Sequence, residues 1–119
     1  MMRYARGNDA AMFDIDDTLI FVNGRANIPI INLLYKMKSL GYKIVIITAR
    51  PRESISINYT IKQLQDYGIY YDYLGFTPAN NKTHMKRRLP YNFVLSVGDM
   101  PTDWTDSEYY INTSNSDYN

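Results

Sequence analysis

The chain has no cysteine, which excludes disulfides and thiolate metal sites and leaves the redox compartment open. No apolar run approaches the roughly 20 residues that a membrane-spanning helix needs. The opening Met1-Met2-Arg3-Tyr4-Ala5-Arg6-Gly7 lacks the apolar core of a signal peptide. Charge of one sign is also missing. Thirteen basic side chains face twelve acidic ones, so no net field argues for nucleic acid or a membrane as partner. Internal repeats and linkers are absent as well. These absences leave a cytoplasmic protein as the expectation. If the frequent Tyr, Asn and Ile reflect an AT-rich viral genome, the compartment is the host cytoplasm.

What remains is an ordinary globular composition, 45% hydrophobic and 21% charged over 119 residues, enough for one core. A single domain over residues 1–113 is expected. A flexible tail rich in Ser, Asn and Asp is expected over 114–119.

Residues 10–15 and 43–48 are apolar or β-branched runs closed by polar residues, and both read as buried strands. Between them Ile30, Ile31, Leu34, Met37 and Leu40 recur at helical spacing, and Gly41 stands where a helix C-terminus favours glycine. A second helix is predicted over 52–67, with Ile57, Ile61 and Leu64 on one face. A tyrosine-rich strand follows at 70–76, a short basic helix at 81–89 stopped by Pro90, and a buried strand at 93–97. A last helical turn is predicted at 104–109 and a weak edge strand at 110–112. Wholly apolar strands alternating with helices predict a three-layer, doubly wound, Rossmann-like α/β fold, its sheet mostly parallel and covered by helices on both faces.

In such a sheet, ligands bind beyond the carboxyl ends of the strands. Three apolar runs end there in oxygen-bearing side chains: Asp14 and Asp16, then Thr48, then Asp99 with Asp103 four residues on. Asp14 and Asp16 stand two residues apart and leave an extended strand on the same side. Adding Asp99 crowds like charges unless a cation is present. With no cysteine and one histidine, these oxygen ligands favour Mg2+ over zinc. An aspartate beside such an ion can attack phosphorus and form an acyl phosphate, while Thr48 and a lysine suit the transferring phosphoryl group.

Asp14-Ile15-Asp16-Asp17-Thr18, Thr48 after its strand, Lys82 at a helix start, and Gly98-Asp99 with Asp103 resemble, in order, the four motifs of the haloacid dehalogenase-like superfamily. The resemblance spans residues 10–106. Ile47-Thr48-Ala49-Arg50-Pro51-Arg52 and Gly98-Asp99-Met100-Pro101-Thr102-Asp103-Trp104 are most similar to its acid phosphatase branch and small viral and phage relatives.

The resemblance implies Asp14 as nucleophile and Asp16 as general acid and then base. The aspartate at 16 implies a phosphatase rather than a dehalogenase. Mg2+ would be held by Asp14, the Asp16 carbonyl and Asp99, with Asp103 in support. Thr48 would bind the phosphoryl oxygens, and Lys82 would bridge Asp14 and the phosphate. Asp17, Thr18, Ala49 and Arg50 would line the substrate site. Lys86 lies one turn from Lys82 and also has the reach; Lys82 is preferred because it begins the helix. Asp17 departs from the glycine that many members carry.

Neither gap that holds a cap domain in larger relatives is long enough for one here, so a capless, open pocket is expected. It would be covered by a large substrate, a protein or nucleic-acid end, or by a second copy of a homo-oligomer. Three functions follow in order of preference: a Mg2+-dependent phosphomonoesterase; a 3′- or 5′-phosphatase of nucleic-acid ends, gripping the strand with Arg50, Lys86, Arg87 and Arg88; and a non-catalytic binding protein of the same fold. His84 is read as solvent-facing, and Tyr67, Tyr70, Tyr71 and Tyr73 as packing residues.

Overall fold

The computed structural model describes residues 3–114, and all but the first residue of the expected tail lies outside them. Ser114 is exposed and bonded to the Asn112 side chain.

Five strands, β1 (Asp9–Phe13), β2 (Lys43–Thr48), β3 (Tyr73–Phe76), β4 (Asn92–Gly98) and β5 (Tyr109–Asn112), form one wholly parallel sheet in the order β3-β2-β1-β4-β5. Four helices connect them: α1 (Ile28–Ser39), α2 (Ser54–Asp66), α3 (Lys82–Arg88) and the single turn α4 (Pro101–Trp104). The expected doubly wound fold is therefore present. Strand order reverses between β1 and β4, which opens a crevice beyond their carboxyl ends.

The helix α1 carries Pro29 in its first turn, which its fixed φ suits, and ends before Gly41, whose φ of +94° a side chain would resist. It buries Ile31, Leu34 and Met37 against Ala11, Phe13, Ile44 and Ile46, and α2 adds Leu64 to the same face. Burying each such side chain contributes about 1.5–3 kcal/mol. The opposite face, formed by Ala10, Met12, Val45, Ile47 and Phe93, is covered by Met85 of α3 with Leu89.

One irregularity matters for the site. Pairing of β1 with β4 shifts register between Ala10, opposite Phe93, and Ala11, opposite Leu95, leaving Val94 as an extra residue. Val94 and Leu95 consequently face the α1 side together, and Phe93 and Ser96 both face the α3 side.

Several boundaries differ from the sequence reading. The strand β1 ends two residues early because the Ile15 carbonyl turns to accept three amides, those of Thr18, Leu19 and Ile20. Ile61 is exposed and Thr60 takes its place in the interior, since the Thr60 hydroxyl accepts a hydrogen bond from Arg50. The last helical turn lies at Pro101–Trp104 instead of 104–109, begun by proline and closed by Asp103. Among the described residues, no helix is long and apolar enough to cross a membrane, and neither the 14–27 nor the 77–81 connection carries an inserted cap.

Candidate active site

Asp14 leaves β1 at the centre of the sheet, with its amide donating to the Val97 carbonyl at 2.9 Å, so the residue is anchored at the switch between β1 and β4. Its side chain is nearly buried. Lys82, on the first turn of α3, donates to Asp14 Oδ1 at 2.9 Å and to Asp103 Oδ1 at 2.7 Å. Oxygens of Asp14, Asp99 and Asp103 lie within 4.8 Å of one another. Sequence reading placed these residues at one edge; the structure brings Asp14, Lys82, Asp99 and Asp103 into one cluster.

Asp103 is held from both ends. Its second carboxylate oxygen accepts from the Met100 amide at 3.1 Å and closes the first turn of α4. Behind it, Gly98 leaves the room it needs: a Cβ there would stand 2.3 Å from Asp103 Oδ2 and 2.4 Å from Asp103 Cβ. Glycine at the end of β4 is thus a close-approach requirement.

The electrostatics are unbalanced. Burial pushes the Asp14 carboxyl well above its ordinary value; Lys82 opposes this, while Asp103 and a hydrogen-bonding approach of Asp99 reinforce it. Burial works against the Lys82 charge, yet Asp14 and Asp103 hold its pKa above the usual lysine value. Three carboxylates against one ammonium, with two of the carboxylates close enough to share a proton, form a donor set that fits a hard divalent cation. Mg2+ would be held by Asp14, Asp99 and Asp103.

Asp16 sits apart from this cluster, its side chain 47% exposed and gripped in bidentate fashion by Arg50, at 2.9 Å to Oδ1 and 3.1 Å to Oδ2. Arg50 is in turn fixed by Thr60 and lies over the Tyr59 ring at 5.9 Å. Asp17 has φ +59°, the left-handed region favoured by glycine and tolerated by aspartate. The Asp17 carbonyl accepts from the Thr113 hydroxyl at 3.0 Å and its carboxylate from the Val22 amide at 3.3 Å.

Thr18 is fully buried, its hydroxyl on Thr113 and its carbonyl on Asn27, so the structure places it in the framework of the turn. Thr48 is buried at the end of β2 with its hydroxyl accepting from the Arg50 amide at 3.2 Å, and Ala49 is exposed beside it.

The two lysines part company. Lys86 is buried but touches no carboxylate, and burial lowers its pKa to about 8. Arg87 is paired with Asp106. The basic group expected at 86–88 therefore presents Arg88 as its only unpaired exposed member among the described residues. His84 is exposed. Sequence reading missed the interior role of Lys86 and the grip of Arg50 on Asp16; the Ser96 opposite Lys86 gave no sign of either in its own strand.

No curated protein matches the chain. Among solved structures, a chain of the "Pnkp1/Rnl/Hen1 complex" shares its fold at TM-score 0.65 and 24% identity, over 86% of this chain and 44% of that one. A chain of the "Pnkp1/Rnl/Hen1 RNA repair complex" matches at TM-score 0.64 and 25% identity, over 83% and 40%. The present chain thus spans less than half the length of either. The family described as haloacid dehalogenase-like hydrolase matches residues 11–100, from the middle of β1 past Asp99. With three quarters of its length covered and the aspartates following β1 and β4 drawn to one lysine, the chain belongs to the haloacid dehalogenase-like hydrolases.

Proposed function

We propose that the chain is a Mg2+-dependent phosphomonoesterase that works through an aspartyl-phosphate on Asp14. The observation that carries this reading is the single ammonium of Lys82 bridging Asp14 and Asp103 in a cluster that also holds the Asp99 carboxylate. When bound, Mg2+ supplies charge neutralisation for the phosphoryl oxygens and the carboxylates.

An Asp14 oxygen forms the new bond to phosphorus as the bond to the leaving oxygen breaks, and Asp16 gives that oxygen its proton. In the second step Asp16 takes a proton from water, the water oxygen bonds to phosphorus, and the bond from phosphorus to Asp14 breaks. Asp16 must part from Arg50 to do this, and the incoming phosphate is a competing anion for the guanidinium. Lys82 remains on Asp14 and steadies the transferring group, and Thr48 offers its hydroxyl at the same edge.

A second reading, phosphatase action on nucleic-acid ends, is favoured by the likeness to a structure described as an RNA repair complex. The reduced basic surface at 86–88 weakens it. An open pocket suits a macromolecular end in either case, and a second copy of the chain is the alternative cover.

The test is hydrolysis of an aryl phosphate with Mg2+, with chelator, and by Asp14→Asn. Equal turnover by wild type and Asp14→Asn would falsify the mechanism. A parallel salt series on an oligonucleotide phosphate separates the two substrates, because activity on a gripped strand falls steeply with salt and activity on a small ester does not.

A further inference from the structure

Lys86 is a buried lysine with no carboxylate bonded to it, although Asp103 and Asp106 act on it through space. At 2% exposure its ammonium donates to Ser96 Oγ at 2.9 Å, to the Asp103 carbonyl at 2.6 Å and to the Thr105 carbonyl at 2.7 Å, with the Phe93 ring 5.7 Å away. All three N–H bonds are used, and every acceptor is neutral. Burying an ammonium in this way is costly even when it is fully bonded.

The acceptors belong to two elements, and this is what gives the arrangement a use. Ser96 is on β4, while Asp103 is in α4 and Thr105 follows it directly. A helix of four residues makes almost no bonds of its own, and its last carbonyls have no partner within it. Lys86 takes two of those carbonyls and ties them to the sheet. It therefore holds the main chain of the same residue whose carboxylate Lys82 holds, one turn away on α3.

We propose that Lys86 is a positioning residue for the metal-binding carboxylates: by fixing the Asp103 main chain against β4 it sets the distance at which Asp103 and Asp99 face Asp14. The proposal rests on the reading that Asp14, Asp99 and Asp103 hold Mg2+. Partners that orient metal ligands from behind are worth about 10- to 100-fold in metal affinity. A strut that served stability alone would lower the melting temperature and leave the affinity of the folded protein unchanged.

The experiment is calorimetric titration of Mg2+ into metal-free wild type, Lys86→Met and Ser96→Ala, at a temperature where circular dichroism shows each to be folded. Lys86→Met keeps the reach of the side chain and removes its donors; its Mg2+ dissociation constant is expected to rise about 10- to 100-fold. Ser96→Ala removes one acceptor and is expected to give a smaller rise in the same direction. Turnover at saturating Mg2+ should fall less than affinity does. If Lys86→Met does not fold, Ser96→Ala decides. Wild-type affinity in the folded variants overturns the positioning role and leaves the metal reading standing, whereas wild type that binds no Mg2+ overturns both.

Discussion

The strand β1 has a nearly buried carboxylate at each end, Asp9 at 5% exposure and Asp14 at 7%, and their surroundings are opposite. Asp9 accepts from the Asn92 side chain at 2.8 Å, from Arg3 at 2.6 Å and from the Arg6 amide at 2.9 Å. The Asn92 and Arg3 bonds lead in bringing its pKa down to about 2. Asp14 has one donor, Lys82, shared with Asp103, and faces two further carboxylates. One end of the strand satisfies its anion and the other leaves its anion in want of a cation. Stability is built at the first end, and on the proposed function it is given up for binding and reaction at the second.

The largest test of this contrast is substitution at the unsatisfied end. Asp14→Asn is expected to reduce phosphatase turnover on the order of 10³-fold or more. At neutral pH without metal it should also be more stable than wild type, by about 1–2 kcal/mol, because the amide avoids the cost of burying a titratable carboxyl beside two other carboxylates. Lower stability of Asp14→Asn would break the comparison. Next is Lys82→Met, which leaves two buried carboxylates without their cation. We expect a loss of about 3–5 kcal/mol in denaturant unfolding and a fall of about 10²- to 10³-fold in turnover.

A smaller effect separates the two ends by pH. Burial raises the folded-state pKa of Asp14 above the ordinary carboxylate value of 3.8 that applies in the unfolded chain, so folding favours its protonated form. Metal-free protein should therefore lose stability as pH rises above that value, and Mg2+ should restore it increasingly at higher pH. Thermal melts at several pH values, with chelator and with Mg2+, check this. Asp9 has the opposite sign: its contribution is complete above 3.8 and is lost as pH falls towards about 2. The smallest effect expected is Asp9→Asn, with wild-type turnover and a stability loss of about 1 kcal/mol.

Much of this molecule was legible in its sequence, and the exceptions have physical causes. Residues 43–48 are bounded by a lysine and by Thr48-Ala49-Arg50, so β2 was read at its true limits. The order of Asp14, Thr48, Lys82 and Asp99 placed all four at one sheet edge, because parallel strands must all end there. Thr60 in place of Ile61 could not be read, since the interior preference of a threonine depends on an arginine ten residues away. Lys86 was equally hidden: its acceptors include main-chain carbonyls, which carry no side-chain signature.

The extra residue in β4 has one more consequence. Side chains on a strand alternate, so each residue added or removed exchanges odd for even along everything downstream. Ser96 meets Lys86, and Gly98 meets Asp103, only because Val94 has already shifted the count once. The phase of this edge is set four residues before it begins: with Val94 paired in regular alternation instead of bulged, the end of the strand would turn over without a single residue of the site being altered.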